Sequence, residues 1–328
     1  DKTWPEPASA PPPRRLNNLT IVLPAFNEEE AIGGLIDRLQ ARFPDTALLV
    51  VDDGSTDRTA EIVRGRQVRL VRHTENRGYG AAWKSGVEAA DTGYIAFFDS
   101  DGQFDPDDLE RLYDRFLLSS ADMVSGCRKQ GSYVDPIRAP GKLLVATVAR
   151  LLVGRRIPDL NCGLRIFDRK LLARYLRLLP NGFSASATSM ILFQNRGYRV
   201  EFIDIVTSKR LGTSSVSIVK DGFNTLLLIM RLVALFNPMR IFNLAAASLL
   251  TLGGIYSVAE IIMRGLGMPV FGAVVLIAST MIFLIGLVCD QIATLRLEVY
   301  DAGAPLQQAR RPGQVIIEEP DGASSQAA

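Results

Sequence analysis

Asp99, Asp101 and Gln103 stand at alternate positions in the segment GYIAFFDSDGQFDPDDL, from Gly93 to Leu109. Two carboxylates and an amide oxygen are hard donors. They suit Mg2+ or Mn2+, which prefer oxygen and keep coordination positions for substrate phosphates. The apolar run Tyr94 to Phe98 just before them reads as a short strand, so the donors sit at the end of a rigid element. Gly102 lets the backbone bend there. Pro106, Asp107 and Asp108 read as the start of a helix with Asp105 as its N-cap. On spacing alone, an acidic turn that only caps this helix accounts for the same residues, so the rest of the chain must decide.

The elements that would position these donors alternate regularly. Leu19 to Leu23 is a buried-strand candidate ending at Pro24, and Asn27 reads as the cap of a helix that begins near Glu28 with apolar positions Ile32, Leu35, Ile36 and Leu39. Ala47 to Val51 is a second strand leading into Asp52, Asp53, Gly54 and Ser55, with a helix capped by Thr56 or Asp57 after it. Val68 to Val71 is a third strand, and Asn76 to Ala90 a Gly-rich turn entering a helix, without the spacing of a Walker loop. Strands and helices in this order predict an α/β fold with a doubly wound, mostly parallel sheet. Ligands of such sheets lie beyond the carboxyl ends of the strands. Asn27, Asp52, Asp53, Asn76, Asp99 and Asp101 all fall at or just after such ends, and this convergence weighs against a mere capping turn. Further on, Asp122–Ser125, a turn and strand within Pro158–Phe167, a helix Phe183–Arg196 and a strand Arg199–Val206 extend the domain. Two basic loops accompany them, one with Arg128, Lys129, Arg138 and Lys142, the other running from Ser208 to Ser217.

The totals narrow the function classes. A net charge of +2 over 328 residues argues against a broad nucleic-acid surface. Cys127, Cys162 and Cys289 are scattered and odd in number, giving neither a disulfide framework nor a zinc spacing. The lone His73 reads as a bystander. Hydrophobic residues make up 48% and concentrate after about Leu226. Lys220 to Phe236 suits a helix lying at a bilayer surface. Ile241–Ile262 and Val270–Cys289 are each about long enough to span a bilayer, joined by a short Gly- and Pro-containing turn. Arg231, Arg240 and Arg296 favour the cytoplasm for both ends of this hairpin. The expected organisation is a polar, disordered segment 1–18 that does not resemble a signal peptide, a catalytic domain 19–215, an interfacial helix 216–238, a transmembrane hairpin 239–296 and a disordered tail 297–328.

Taken together, PAFNE (Pro24–Glu28), VVDDGSTDRT (Val50–Thr59), NRGYGAAWKSG (Asn76–Gly86) and FFDSDGQ (Phe97–Gln103) resemble the family 2 glycosyltransferases of GT-A fold. The loop GCRKQGS with Arg138, DLNCGLRIF, KRLGTSS and the apolar hairpin resemble, more narrowly, the polyprenyl-phosphate glycosyltransferases within that family. The resemblance covers about Leu19 to Leu295 and departs from the common pattern at Ala25-Phe26 and at Cys162. It implies that Pro24, Asn27 and Glu28 form the nucleotide-contacting opening loop and that Asp53, or Asp52, reads the base. It implies that Asp99, Asp101 and Gln103 hold Mg2+ or Mn2+ and the diphosphate. Arg128, Arg138 and Arg210 would meet the phosphates of acceptor and donor, with Ser214 or Ser215 assisting. The implied reaction is transfer of a sugar, with inversion, from a nucleotide-sugar to a polyprenyl phosphate at the cytoplasmic membrane face. A UDP-sugar is favoured over GDP-mannose as donor, and a homo-oligomer packed through Gly253, Gly254 and Gly286 is one arrangement the spans allow. A processive polysaccharide synthase shares the GT-A motifs but needs more spans and a Q-x-x-R-W signature, and the only tryptophans are Trp4 and Trp83. A non-catalytic sugar-nucleotide-binding membrane scaffold is the other rival, against which the intact carboxylates and arginines argue.

Overall fold

The computed structural model describes residues 12–128, 158–208, 238–265, 267, 269–301 and 315–319. They fall into two compact units, one built on a β-sheet and one on a pair of long helices.

The sheet unit grows from β1 (Leu19–Ala25), buried along its whole length as a strand covered on both faces must be. β2 (Ala47–Asp52) and β4 (Tyr94–Phe97) flank it in parallel, and β3 (Arg69–His73) lies parallel outside β2. The connections are helical: α1 (Ile32–Arg42), α2 (Thr59–Arg64) and α3 (Tyr79–Ala89). α1 buries Ile32, Leu35, Ile36 and Leu39, the stripe that the spacing predicts. On the α3 side, Trp83 stacks flat on Phe97, with ring centroids 3.7 Å apart. α4 (Pro106–Ser119) starts as expected: Asp105 accepts the Asp107 amide at 2.9 Å and Pro106 occupies the first helical position.

Beyond β4 the sheet becomes mixed. β5 (Met123–Arg128), β6 (Arg165–Asp168), α5 (Arg169–Arg174), α6 (Ser184–Asn195) and β7 (Val200–Ile205) follow. With β8 at Val315–Glu318, the strand order is β7-β5-β6-β4-β1-β2-β3-β8, with β6 antiparallel to both β4 and β5, and β7 parallel to β5. The expected doubly wound, mostly parallel sheet is therefore present, with β4-β1-β2-β3 as its parallel core and a mixed far side. The last strand, β8 (Val315–Glu318), pairs antiparallel with β3 and corrects the expectation of disorder over 297–328. A short β-branched run in a polar tail gives little signal by itself.

Two local expectations also change. β1 runs through Pro24 to Ala25 instead of stopping at the proline, since the β1–β4 register has already ended at Val22↔Phe97 and no ladder partner is lost. Asn27 does not cap a helix. It takes a left-handed φ of 54°, and α1 begins only at Ile32.

The second unit consists of α7 (Pro238–Arg264) and α8 (Val270–Asp301). Both are long and apolar enough to cross a membrane, and α8 runs past the expected end at 296. Small residues let them approach closely. A Cβ on Gly272 would lie 1.9 Å from Ser257 Oγ, one on Gly286 2.4 Å from Phe242 Cβ, and one on Gly253 2.5 Å from Val275. Gly253 and Gly286 are thus occupied within the hairpin, while Gly254 faces open space. The interfacial helix expected over 216–238 lies outside the described residues up to Pro238.

Candidate active site

The carboxyl ends of β1, β2, β3 and β4 converge on one group of loops, and each is pinned by its neighbours. After β1, the Asn27 amide donates to Ser55 Oγ at 2.9 Å, and Asn27 Oδ1 accepts the Thr56 amide at 2.9 Å. The Glu28 amide donates to Thr59 Oγ1 at 2.9 Å. The left-handed turn at Asn27 thereby presses the PAFNE loop against the loop after β2. Asp57 receives the Thr59 amide and hydroxyl at 2.9 and 2.6 Å, which fixes the start of α2.

Both aspartates after β2 are buried and engaged. Asp52 accepts the Ser55 amide at 2.9 Å and Arg72 Nε at 3.1 Å. Asp53 Oδ1 lies 2.6 Å from His73 Nδ1 and accepts the Arg77 amide at 3.0 Å, while Oδ2 accepts the Gly78 amide at 2.7 Å. His73 Nε2 in turn lies 2.8 Å from Ser85 Oγ. His73 is therefore not a bystander but a buried support of Asp53. The parallel register Asp52↔Arg72 places Asp53 beside His73, a neighbourhood that strand pairing, rather than any motif, reveals. Gly78 takes φ 98°, and a Cβ there would lie 2.5 Å from the Asn181 carbonyl oxygen, so the turn accepts only glycine.

At the end of β4, Asp99 Oδ1 accepts the Tyr79 hydroxyl at 2.6 Å. Burial, then the Asp99 charge, push the Tyr79 phenol well above its ordinary pKa, so it stays a donor. The same carboxylate rests over Gly163, where a Cβ would lie 1.9 Å from Asp99 Oδ2. The Ser100 hydroxyl donates to the Pro24 carbonyl at 2.7 Å and so joins this loop to β1. Asp101 Oδ1 accepts the Gln103 amide at 3.1 Å across Gly102, whose φ is 74°. The Gln103 carbonyl accepts the Ser208 amide at 3.0 Å, so the first residue of the second basic loop lies beside the acidic turn, and the rest of that loop lies outside the described residues.

Arg128 carries a partner that sequence reasoning missed. Its Nε and Nη2 meet Asp159 Oδ2 and Oδ1 at 2.6 and 2.9 Å, a two-pronged pair. The hydrogen bond to Asp159 is the main reason the guanidinium is held even more firmly protonated than usual. Burial works to raise the Asp159 carboxyl, but Arg128 outweighs it and holds that carboxyl below its usual range. Arg165, fully buried, anchors the same turn by donating to the Leu160 carbonyl at 2.8 Å, to Ser189 Oγ at 3.1 Å and to the Ser186 carbonyl.

The structure thus brings Pro24, Asn27, Glu28, Asp52, Asp53, Asp99, Asp101 and Gln103 to one end of the sheet. Arg138, Arg210, Ser214 and Ser215 lie outside the described residues. Among the described residues no three His, Cys, Asp or Glu side chains gather as a metal site. Asp99, held by Tyr79 and resting over Gly163, stands with Asp101 and Gln103 as two carboxylates and an amide, hard oxygen donors of the kind that suits a hard cation.

A family model described as Glycosyl transferase family 2 matches residues 20–176, and one described as GtrB C-terminal hairpin matches residues 237–295. An uncharacterized glycosyltransferase of Mycobacterium bovis is 32% identical over 60% of this chain and 88% of its own length. A dolichyl-phosphate hexose transferase of Haloferax volcanii is 29% identical over 61% of this chain and 87% of its own. Among solved structures, glucosyl-3-phosphoglycerate synthase from Mycobacterium tuberculosis, in complex with Mn2+, uridine diphosphate and phosphoglyceric acid, superposes with a TM-score of 0.54. It covers 66% of this chain and 78% of its own at 19% identity, a likeness of fold alone. With the sheet, the strand-end carboxylates and the hairpin all accounted for, the chain belongs to glycosyl transferase family 2 and is a glycosyltransferase with a GtrB-type C-terminal hairpin.

Proposed function

We propose that the protein transfers a sugar from a nucleotide-sugar to a polyprenyl phosphate, with inversion, at the cytoplasmic face of a membrane. The observation that carries this reading is the Asp99–Gln103 turn, held at the end of β4 by Tyr79 and Gly163. The hairpin adds the membrane, because a polyprenyl tail stays in the bilayer while a sugar nucleotide stays in water. The hexose transferase relative is named for a dolichyl-phosphate acceptor, and the structural neighbour is described with Mn2+ and uridine diphosphate. These names favour a lipid-phosphate acceptor and a UDP-sugar over GDP-mannose.

Asp99, Asp101 and Gln103 would hold the Mg2+ or Mn2+, which supplies positive charge to the departing diphosphate. Pro24, Asn27 and Glu28 would line the nucleotide, and Asp53, or Asp52, would read its base. Because both carboxylates already accept hydrogen bonds from their own chain, they present a fixed acceptor pattern rather than a mobile one. Arg128, fixed in orientation by Asp159, is one cation for the phosphates, and Arg138, Arg210, Ser214 and Ser215 are the others proposed. The acceptor phosphate monoester has a second pKa near ~6, so it reaches the site largely as a dianion and needs no strong general base. That fits a chain whose one histidine is committed to Asp53 and Ser85. Positioning and charge stabilisation then carry the rate.

The test is transfer of radiolabelled sugar from UDP-glucose, UDP-N-acetylhexosamines or GDP-mannose to a short polyprenyl phosphate with Mn2+. Asp101→Ala should lower turnover by about 100-fold or more, the scale for removing one preorganised electrostatic stabiliser. Near-normal turnover of that variant at saturating Mn2+ would reject the assignment.

A further inference from the structure

We propose that the C-terminal strand β8 is a working part of the donor side of the site, a strap that holds the carboxyl end of β3 in place. The inference rests on the nucleotide reading of the β2 and β3 ends. It concerns a segment beyond residue 295, where the hairpin match stops.

Without β8, β3 would be the outer strand of the sheet on the β2 side, with one row of backbone groups unpaired. β8 covers that edge in the register Leu70↔Glu318, Val71↔Ile317, Arg72↔Ile316 and His73↔Val315. Charged pairs fix the register from both elements that flank the edge. Arg64, in the last turn of α2, meets Glu318 with Nε–Oε2 at 2.5 Å and Nη2–Oε1 at 2.7 Å. Arg69, the first residue of β3, lies 2.6 Å from Glu319 Oε1 through Nε. The β-branched run Val315, Ile316, Ile317 suits a pleated edge.

The paired residues of β3 are also the ones that reach the site. Arg72, opposite Ile316, bonds Asp52, and His73, opposite Val315, meets Asp53. Asp53 in turn gathers the Arg77 and Gly78 amides that open α3. A continuous set of contacts thus runs from the tail strand through β3 to the two aspartates and the Gly-rich turn. Loss of β8 frees the end of β3, and the acceptor pattern offered to the nucleotide loosens with it.

The experiment uses the full chain and measures two things: amide exchange at residues 69–73, and UDP affinity with Mn2+ by calorimetry. Glu318→Lys sets like charges against Arg64. It should speed exchange in β3 and weaken UDP by about fivefold, the low end of couplings between linked sites. Combining it with Arg64→Glu restores an opposite-charge pair and should recover both readouts. A variant ending at Pro312 should show the larger effect in both. Faster exchange with unchanged UDP affinity overturns the proposal and leaves β8 as an edge cover only. Unchanged exchange in both variants overturns the docking itself. Absence of UDP binding by the unaltered protein rejects the nucleotide reading and the proposal together, an outcome seen in the reference arm and so separable from the others.

Discussion

Tyr79 is the side chain through which the helix after the Gly-rich turn acts on the acidic turn. Its ring packs between Trp83 and Phe183, with centroids 5.6 and 5.5 Å away, and its hydroxyl donates to Asp99. Tyr79→Phe keeps the ring contacts and deletes only the hydroxyl. A hydrogen bond to a charged group contributes about 1.5–3 kcal/mol. The thermal midpoint should therefore fall by a few degrees, and turnover, measured well below the midpoint, should fall roughly 10-fold or more. Steady-state kinetics beside a melting curve check it, and a lower midpoint with unchanged turnover would make Tyr79 merely a core residue. Asp159 gives the pH dependence at this scale. Its folded-state pKa is depressed through Arg128, so the stability it contributes is present above the unfolded carboxyl value near ~3.9 and disappears as pH falls through the lower folded value. Asp159→Asn should therefore lower the midpoint at pH 7 and flatten its acid dependence below about pH 4, read from melting curves across pH. An unaltered acid limb would assign the dependence to other carboxylates.

At the scale of elements, the caps and strand ends decide how loops are presented. α4 projects from the acidic turn with Asp105 bonded to the Asp107 amide, and its apolar stripe Leu109, Leu112, Tyr113 and Phe116 is buried. Asp105→Ala should cost about 1 kcal/mol, the usual scale for losing an N-cap. That corresponds to a midpoint drop of roughly 2–4 °C in a domain of this size, measured by calorimetry. No change would mean that neither the Asp105 cap nor the exposed pair with Arg38, which is lost with the same side chain, contributes to stability. Asp105 was legible because Pro, two acids and an apolar period all agree on one helix start. Asn27 was not, because the same residue type serves equally for a cap or a left-handed turn, and only the contact with Thr56 selects the turn. The strand-end carboxylates were legible from the alternation of strands and helices. Their supports, His73, Tyr79, Asp159 and Arg165, were not, since each meets a partner on an element distant in sequence, Arg165 through Ser189. β8 escaped for a related reason: four residues become a strand only where an edge exists to receive them.

For the molecule as a whole, the question is which side of the membrane each part occupies. The chain leaves the sheet unit after β7, passes through α7 and α8, and rejoins the same sheet at β8. If both helices span, the described residues cross twice, and α8 returns the chain to the side from which α7 enters. The turn between the helices, which includes Arg264, Gly265 and Gly267, must then emerge on the opposite side. Glu260 and Arg264 pair at 2.8 Å near that end of α7, where two charges are tolerable only close to water. A Gly267→Cys variant, in a background where Cys127, Cys162 and Cys289 are replaced by serine or alanine, places one thiol at this turn, where an added Cβ meets nothing within 4 Å beyond its chain neighbours among the described residues. In sealed vesicles of known orientation, an impermeant maleimide should label this thiol from the face opposite to that from which protease removes the catalytic unit. Labelling and proteolysis from the same face would mean that the hairpin enters the bilayer without crossing it. The acceptor would then have to be met by a surface-lying pair of helices rather than by a membrane anchor.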